Sequence, residues 1–306
     1  MIELTLGPLL FNWPVAEVDR FYGRIADETG IARVYLGEVV CSKRAPGLEA
    51  ALVRAAERLE QAGKAVVWST LALPATNREQ AMIAALSALD GLIEVNDVSA
   101  LANRERRPFV AGPLLNIYNE AALREFVAMG CVRVVPNVEL SLAAMGALHA
   151  ASPQTPIEVF GFGRLPLALS GRCYHARAEG LHKDVCQFVC DRDPDGRTIR
   201  TLEDAPFLAM NGVQTLSHGI QAAAVAVDAL IAAGVRALRL SPHAVDMVAV
   251  SKSFDRFLRR AIAVEELVSV LEGLRLPGPL VGGYLAGVRG HRDLRDVLPD
   301  LAAARS

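Results

Sequence analysis

The chain has 306 residues, of which 52% are hydrophobic and only 6% aromatic, and its formal net charge is −2. That length allows one large α/β barrel or two ordinary domains, with a core big enough to stand without disulfides. The near-neutral charge excludes a strongly basic nucleic-acid surface or a polybasic membrane anchor as the default.

A strand-like apolar run at Ile2–Leu10 is followed by a helical pattern over Val15–Asp27. The run Ala32–Val40 precedes a long helix with Leu48, Leu52, Ala55, Ala56 and Leu59 on one face, closed by Gly63. The cycle repeats as strand Ala65–Leu71 with helix Arg78–Leu89, strand Leu92–Val95 with a short helix over Val98–Arg104, and strand Phe109–Leu115 with helix Glu120–Met129. Strand Val132–Val135 with helix Ser141–Ala150 comes next, and strand Ile157–Phe162 is the seventh. After a long interruption, a helix over Ile220–Ala233 leads to the eighth strand, Ala237–Leu240, and helices cover Val248–Ala263 and Val264–Glu272. Eight strands alternating with helices predict one (β/α)8 barrel domain, distorted if anywhere at its late eighth strand.

Mean hydropathy is positive, but no run reaches about 18 apolar residues. Residues 220–235 come nearest, and Asp228 interrupts them. The stretch Met1–Arg20 has no basic region, and Asn12 and Pro14 break its apolar part, so no signal peptide is expected and a cytoplasmic location is. The Ala, Val and Leu excess instead suits helices and parallel strands buried on both faces. A doubly wound sheet would need a glycine-rich turn after the first strand, and no G-x-G-x-x-G or phosphate loop is present; Gly161-Phe162-Gly163 reads as a turn.

The interruption, residues 164–219, is too long for a simple strand-to-helix loop. Asp193-Pro194-Asp195-Gly196 is a strong turn signal, and its flanks, with Thr198–Leu202, read as a small hairpin. As an insertion after the seventh strand it belongs at the carboxyl end of the barrel, which carries active sites.

Cysteine placement is the most informative feature. Cys41 follows the second strand, and Cys173, Cys186 and Cys190 lie in the insertion, so four thiols open on one face. Cys131 precedes the sixth strand, belongs at the opposite end, and reads as a buried small hydrophobe. If Cys186-x-x-x-Cys190 is helical, its sulfurs lie one turn apart. The spacing matches neither zinc ribbons nor small ferredoxins. Reduced unligated thiols, a zinc site with His175 or His182 as substitute ligands, and a [4Fe–4S] site all stay open, while disulfides are disfavoured. Lysine occurs only at Lys43, Lys64, Lys183 and Lys252. Arg172, Lys183 and Lys43 adjoin cysteines and are expected to lower thiolate pKa and offset cluster charge.

Other catalytic patterns are missing. Ser217-His218 and Ser241-Pro242-His243 are Ser/His neighbours without a triad partner. Asn12-Trp13-Pro14 and Tyr35-x-x-Glu38 are candidates to line the barrel mouth, with packing roles as the alternative.

The stretch from Glu158-Val159-Phe160 through Ser170-Gly171-Arg172-Cys173 resembles the signature of the collagenase-like peptidase superfamily. Tyr174-His175-Ala176-Arg177, His182-Lys183-Asp184-x-Cys186-x-x-x-Cys190 and Tyr35 through Arg44 narrow the resemblance to its UbiV branch of ubiquinone-biosynthesis proteins, over roughly residues 1–295. The resemblance implies one [4Fe–4S] cluster on Cys41, Cys173, Cys186 and Cys190. It implies a heterodimer with a UbiU-like protein, and O2-independent hydroxylation of a quinone precursor with prephenate as oxygen donor. The catalytic residues beyond the cluster ligands stay unassigned. A hydroxylase acting on RNA, a peptidase and a structural zinc barrel are the alternatives.

Overall fold

In a computed structural model, which describes residues 2–303, the chain forms twelve strands and ten α-helices among the described residues. In order they are β1 (Glu3–Leu6), α1 (Val15–Glu28), β2 (Arg33–Leu36), α2 (Ala45–Gln61), β3 (Ala65–Ser69), α3 (Asn77–Ser87), β4 (Ile93–Val95), β5 (Phe109–Ala111), α4 (Glu120–Ala128), β6 (Cys131–Val134), α5 (Leu142–Ala151) and β7 (Ile157–Leu169). Then come α6 (Tyr174–Ala178), β8 (Arg197–Arg200), β9 (Pro206–Asn211), β10 (Gln214–Ala222), α7 (Val227–Ala232), β11 (Val235–Leu240), α8 (Met247–Leu258), α9 (Val264–Glu272), β12 (Leu280–Val281) and α10 (Leu294–Ala303). A 3-10 turn, Val98–Asn103, replaces a helix between β4 and β5.

Strands β1 to β7 pair in sequence, all parallel, and β11 closes the ring by pairing with both β7 and β1. The expected eight-stranded (β/α)8 barrel is therefore present and closed. Its irregularities are register shifts in the β5–β6 and β7–β11 pairs. Helices form where the apolar period is 3.6: Val18, Tyr22, Ile25 and Ala26 of α1 are buried. Starts are set by local chemistry, as where Thr76 accepts from the Glu79 amide and Glu79 caps in return. Among the described residues no helix is long and apolar enough to cross a membrane.

The core has two layers. One large apolar cluster lies between strands and helices, with Leu6, Leu36 and Val134 fully buried against residues such as Ile25, Leu59 and Leu148. Inside the barrel, Tyr35, Val67, Val110 and Val135 form a small cluster. Beside them the interior holds a buried polar network. Glu158 accepts from Thr5 Oγ1 (2.9 Å) and Arg239 Nε (2.7 Å) on one oxygen, and from Tyr35 OH (2.7 Å) and Arg133 Nη1 (2.9 Å) on the other. Arg239 Nη1 reaches Glu94 at 2.6 Å, and its guanidinium stacks 4.0 Å from the Tyr35 ring centre.

Two elements differ from the sequence reading. Residues 220–222 end the strand β10, antiparallel to β7, and the helix starts only at Val227. The small side chains Ala222 to Ala224 let that backbone lie against the barrel wall, where the Ala223 amide donates to Gly161 O at 2.7 Å. The hairpin is β8–β9, turning at residues 201–205. The Asp193–Gly196 turn instead joins a 3-10 turn, Val189–Arg192, to β8. Strand β12 and helix α10 were not anticipated.

Gly37 ends β2 with φ +133°, and a Cβ there would sit 2.5 Å from the Ser69 carbonyl oxygen. Neither backbone can yield without breaking the β2–β3 pairing, so Gly37→Ala is expected to lower stability by about 2–4 kcal/mol in urea unfolding. An unchanged midpoint would contradict that close approach.

Candidate cysteine site at the carboxyl end of the barrel

Three loops meet above the barrel: the one after β1, the one after β2, and the segment between the barrel part of β7 and α7. Their sequences bring polar anchors to one place. Arg44, 3% exposed, donates from Nη1 to Leu10 O (2.8 Å) and from Nη2 to Asn211 Oδ1 (2.9 Å), so it joins all three loops. Asn211 Nδ2 also donates to Leu10 O at 2.6 Å. Gly212, at φ +62°, passes so close that a Cβ would lie 2.8 Å from Arg44 Nη2.

The cysteines sit around this anchor. Cys41 and Cys173 pack against the same small apolar cluster of Leu10, Val39, Val40, Ala72 and Val213. Cys190 is buried, accepts from Asn12 Nδ2 at 3.5 Å, and lies beside Arg44 and within electrostatic reach of Cys173. Cys186 follows the 3-10 turn Lys183–Val185. That turn is clamped to the Cys41 loop because Lys43 Nζ donates to Lys183 O (2.7 Å) and pairs with Asp184 (3.0 Å). Lys183 Nζ in turn donates to Gly171 O at 3.1 Å.

Cys131 is separate. It opens β6 at the far end, is 4% exposed, and its Sγ donates to Arg133 O at 3.1 Å. Burial pushes its thiol up to about 11. The four-to-one division read from chain order is thus what the fold produces.

Several details differ from expectation. Cys186 and Cys190 do not share a helix, because Gln187 and Phe188 both adopt left-handed backbone (φ 51° and 54°) between two 3-10 turns. Burial raises the Cys41 and Cys190 thiols, and the nearby cation opposing burial most is Arg44. Lys43 and Lys183 act chiefly as loop ties, and Arg172 is exposed. His175 cannot serve as a spare ligand as it stands. Its Nδ1 accepts from the Gly212 amide (2.9 Å), which puts the proton on Nε2 facing Asp193 (3.1 Å), and burial holds its pKa below the usual histidine value. His182 is exposed, with Nδ1 accepting from the Asp184 amide.

The other flagged residues have structural work. Trp13 Nε1 donates to Pro194 O at 2.7 Å. Glu38 accepts from the Val40 and Cys41 amides, each at 2.8 Å, and so shapes the loop carrying Cys41. Tyr35 belongs to the barrel interior, not the mouth. Ser217 Oγ is engaged by the Leu165 amide and Gly219 O, and His243 Nδ1 meets the Ser241 carbonyl (3.1 Å), not its hydroxyl. Neither pair is a nucleophile with its base. Arg164, 1% exposed, is bonded to the carbonyls of Asp195, Ser217, His218 and Pro277 and has its pKa lowered to about 10, mainly by burial. It pins the inserted segment to the barrel. Arg44 and Arg164 escaped notice as anchors: Arg44 follows Lys43 at the start of α2 and Arg164 lies within β7, and neither position marks a buried guanidinium in the sequence.

The donor chemistry fits a thiolate-held iron–sulfur group: four cysteines at one end of the barrel, three of them grouped around an apolar wall and a buried guanidinium. Cys41 and Cys173 share one apolar wall and Cys190 lies within electrostatic reach of Cys173, but the four sulfurs do not form a closed ligand shell. Among the described residues no three His, Cys, Asp or Glu side chains gather as a metal ion requires. Metal ligands commonly come together only with the metal, because binding and local folding are one step.

Two solved structures similar to this chain are aldolases by their descriptions. A protein assigned as a fructose-1,6-biphosphate aldolase from Coccidioides immitis is 10% identical over 98% of this chain and 93% of its own, with a TM-score of 0.39. Phospho-2-dehydro-3-deoxyheptonate aldolase from Thermotoga maritima is 11% identical over 88% of this chain and 70% of its own, with a TM-score of 0.36. The sequence profile of peptidase family U32 matches residues 17–268, most of the barrel and both cysteine-bearing loops, and the chain belongs to that family.

Proposed function

We propose that this chain is the iron–sulfur subunit of an oxygen-independent hydroxylase of ubiquinone biosynthesis, of the UbiV kind. In this reading it works in the cytoplasm, where thiols stay reduced, as a heterodimer with a UbiU-like protein and with prephenate as oxygen donor to a quinone precursor. The observation that carries it is the grouping of cysteine loops from β2 and β7 around the buried Arg44, with Cys131 excluded to the floor. Cys41, Cys173, Cys186 and Cys190 would hold a [4Fe–4S] cluster, and Arg44 would offset part of its negative charge. Held by four thiolates, such a cluster supplies single-electron transfer, since no iron keeps an open position.

The family name suggests a peptidase, but Ser217 and Ser241 are not paired with a base. The test is purification without oxygen after co-expression with a UbiU-like partner. We expect a brown protein with about four irons per chain, and loss of quinone made without oxygen when the gene is deleted. A colourless protein carrying zinc, or unchanged quinone in the deletion, would overturn the proposal.

A further inference from the structure

The turns that carry Cys186 and Cys190 present large apolar side chains to the outside. Tyr174, Val185 and Phe188 are 39%, 64% and 45% exposed, and the last two flank the half-exposed Cys186. Grouped exposed apolar side chains mark interaction sites, whereas scattered ones do not. Phe188 is held outward by costly backbone, because Gln187 and Phe188 are both left-handed, a conformation that side chains other than Asn and Asp avoid. Lys183 Nζ donates to Gly171 O at 3.1 Å, which brings Arg172 beside the Cys186 turn. Helix α6, carrying Tyr174 and Arg177, lies against the Val189–Arg192 turn. The charge left over on this face is one-sided. Over residues 171–193, Asp184 is taken by Lys43 (3.0 Å), Glu179 by Arg192 (3.5 Å) and Arg197 (2.5 Å), and Asp193 faces His175 (3.1 Å). Among the described residues that leaves Arg172, Arg177 and Lys183 without an ion pair against one free carboxylate, Asp191, on a chain whose formal net charge is −2.

We propose that this face docks a small acidic one-electron carrier protein of the ferredoxin kind. An apolar centre with aromatic side chains, rimmed by charge, is the anatomy of a protein interface. Uncompensated cations around it steer an acidic partner to the right place and make the encounter sensitive to salt. A carrier fits better than a permanent subunit because the patch is small, as interfaces of electron-transfer encounters are. Cys173 and Cys186 are half-exposed, so a group held by these thiols opens toward the same face. In the encounter one electron leaves the reduced carrier and reaches that group; the carrier is oxidised by one electron, the group is reduced by one, and no bond is made or broken. RNA fits less well, since three cations suit a compact acidic patch better than a run of phosphates.

This inference rests on the cluster reading above and names the kind of protein that supplies its electrons, but it is tested by binding without turnover. A small acidic [2Fe–2S] ferredoxin is titrated against the full chain purified without oxygen, alone and with its UbiU-like partner, and iron is measured on the same samples. Cytochrome c, which is basic, and a single-stranded RNA are the comparison probes. Ferredoxin should bind both preparations saturably and lose at least about tenfold in affinity between about 50 and 200 mM salt. Arg177→Glu should weaken ferredoxin about tenfold and flatten the salt dependence. Phe188→Asn, which keeps a left-handed backbone that Asn accepts, should weaken it about fivefold at every salt concentration. Both variants should keep the iron content and urea midpoint of the parent. No saturable ferredoxin binding, equal binding of cytochrome c, tighter binding of the RNA, loss of ferredoxin binding once the UbiU-like protein is present, or folded variants that bind ferredoxin as the parent does would overturn the assignment. Salt-sensitive ferredoxin binding by a chain that carries no iron would sink only the cluster reading.

Discussion

Glu158→Gln should lower the stability of the fold by about 3–5 kcal/mol, the usual cost of leaving buried charges uncompensated. Glu158 is fully buried and accepts four hydrogen bonds, from Thr5, Tyr35, Arg133 and Arg239, which come from four other strands. Glutamine keeps the shape but replaces one acceptor oxygen with an amide donor that faces donors, and it removes the charge two guanidiniums answer to. Arg133 retains Glu3 (2.6 Å) and Arg239 retains Glu94 (2.6 Å), so part of the network survives.

The pH dependence gives a second readout. Burial alone would raise the Glu158 pKa, but Arg239 and Arg133 outweigh it and hold it at about 2, below the ordinary 4.5. A depressed folded-state pKa means the stabilisation is complete above about 4.5 and is lost as pH falls toward about 2. The gap between the parent and Glu158→Gln should therefore be constant from neutral pH to about 5 and shrink below it. A gap independent of pH down to 3, read by urea unfolding, would mean that the ion pairs contribute nothing.

That network also shows where sequence reading stops. The barrel was legible because alternating apolar strands and amphipathic helices are local patterns, and strand direction alone assigns each loop to one end. Hence Cys41 and the three later cysteines were separable from Cys131 without coordinates. The partners of Glu158 lie up to 153 residues away in sequence, and nothing local distinguishes an inward glutamate from a surface one. The same holds for Arg44, whose three-loop contact exists only after β1, β2 and β9 are in place. The stretch Ile220–Val225 failed differently. Its alanine-rich composition favours a helix, yet close packing against β7 needs small side chains too, and the tertiary contact decides. Between Cys186 and Cys190 the left-handed Gln187 and Phe188 leave no sequence trace, since neither is a glycine or an asparagine.

Serine at Cys41, Cys173, Cys186 or Cys190, one position at a time, should remove the iron, whereas Cys131→Ala should keep it. The contrast follows from position and not from general thiol chemistry. Cys131 is 4% exposed, sits at the amino end of β6, and spends its S–H on Arg133 O. Its loss should cost about 1 kcal/mol of stability and leave the carboxyl-end loops untouched. The other four lie on segments tied by Arg44 to Leu10 and Asn211 and by Lys43 to Lys183. A serine there preserves size and most loop contacts while removing the soft ligand. Loss of iron with a midpoint no lower than that of the iron-free parent would then reflect ligation, because a merely structural role would lower the midpoint of the iron-free chain as well. Cys186 is the most discriminating case: it is half-exposed, tied to the Cys41 loop through its neighbours Lys183 and Asp184 and to the Cys190 turn by a backbone bond from the Val189 amide. If Cys186→Ser kept full iron while Cys131→Ala lost it, the fourth ligand would be assigned to the wrong end of the barrel and the grouping around Arg44 would lose its functional meaning.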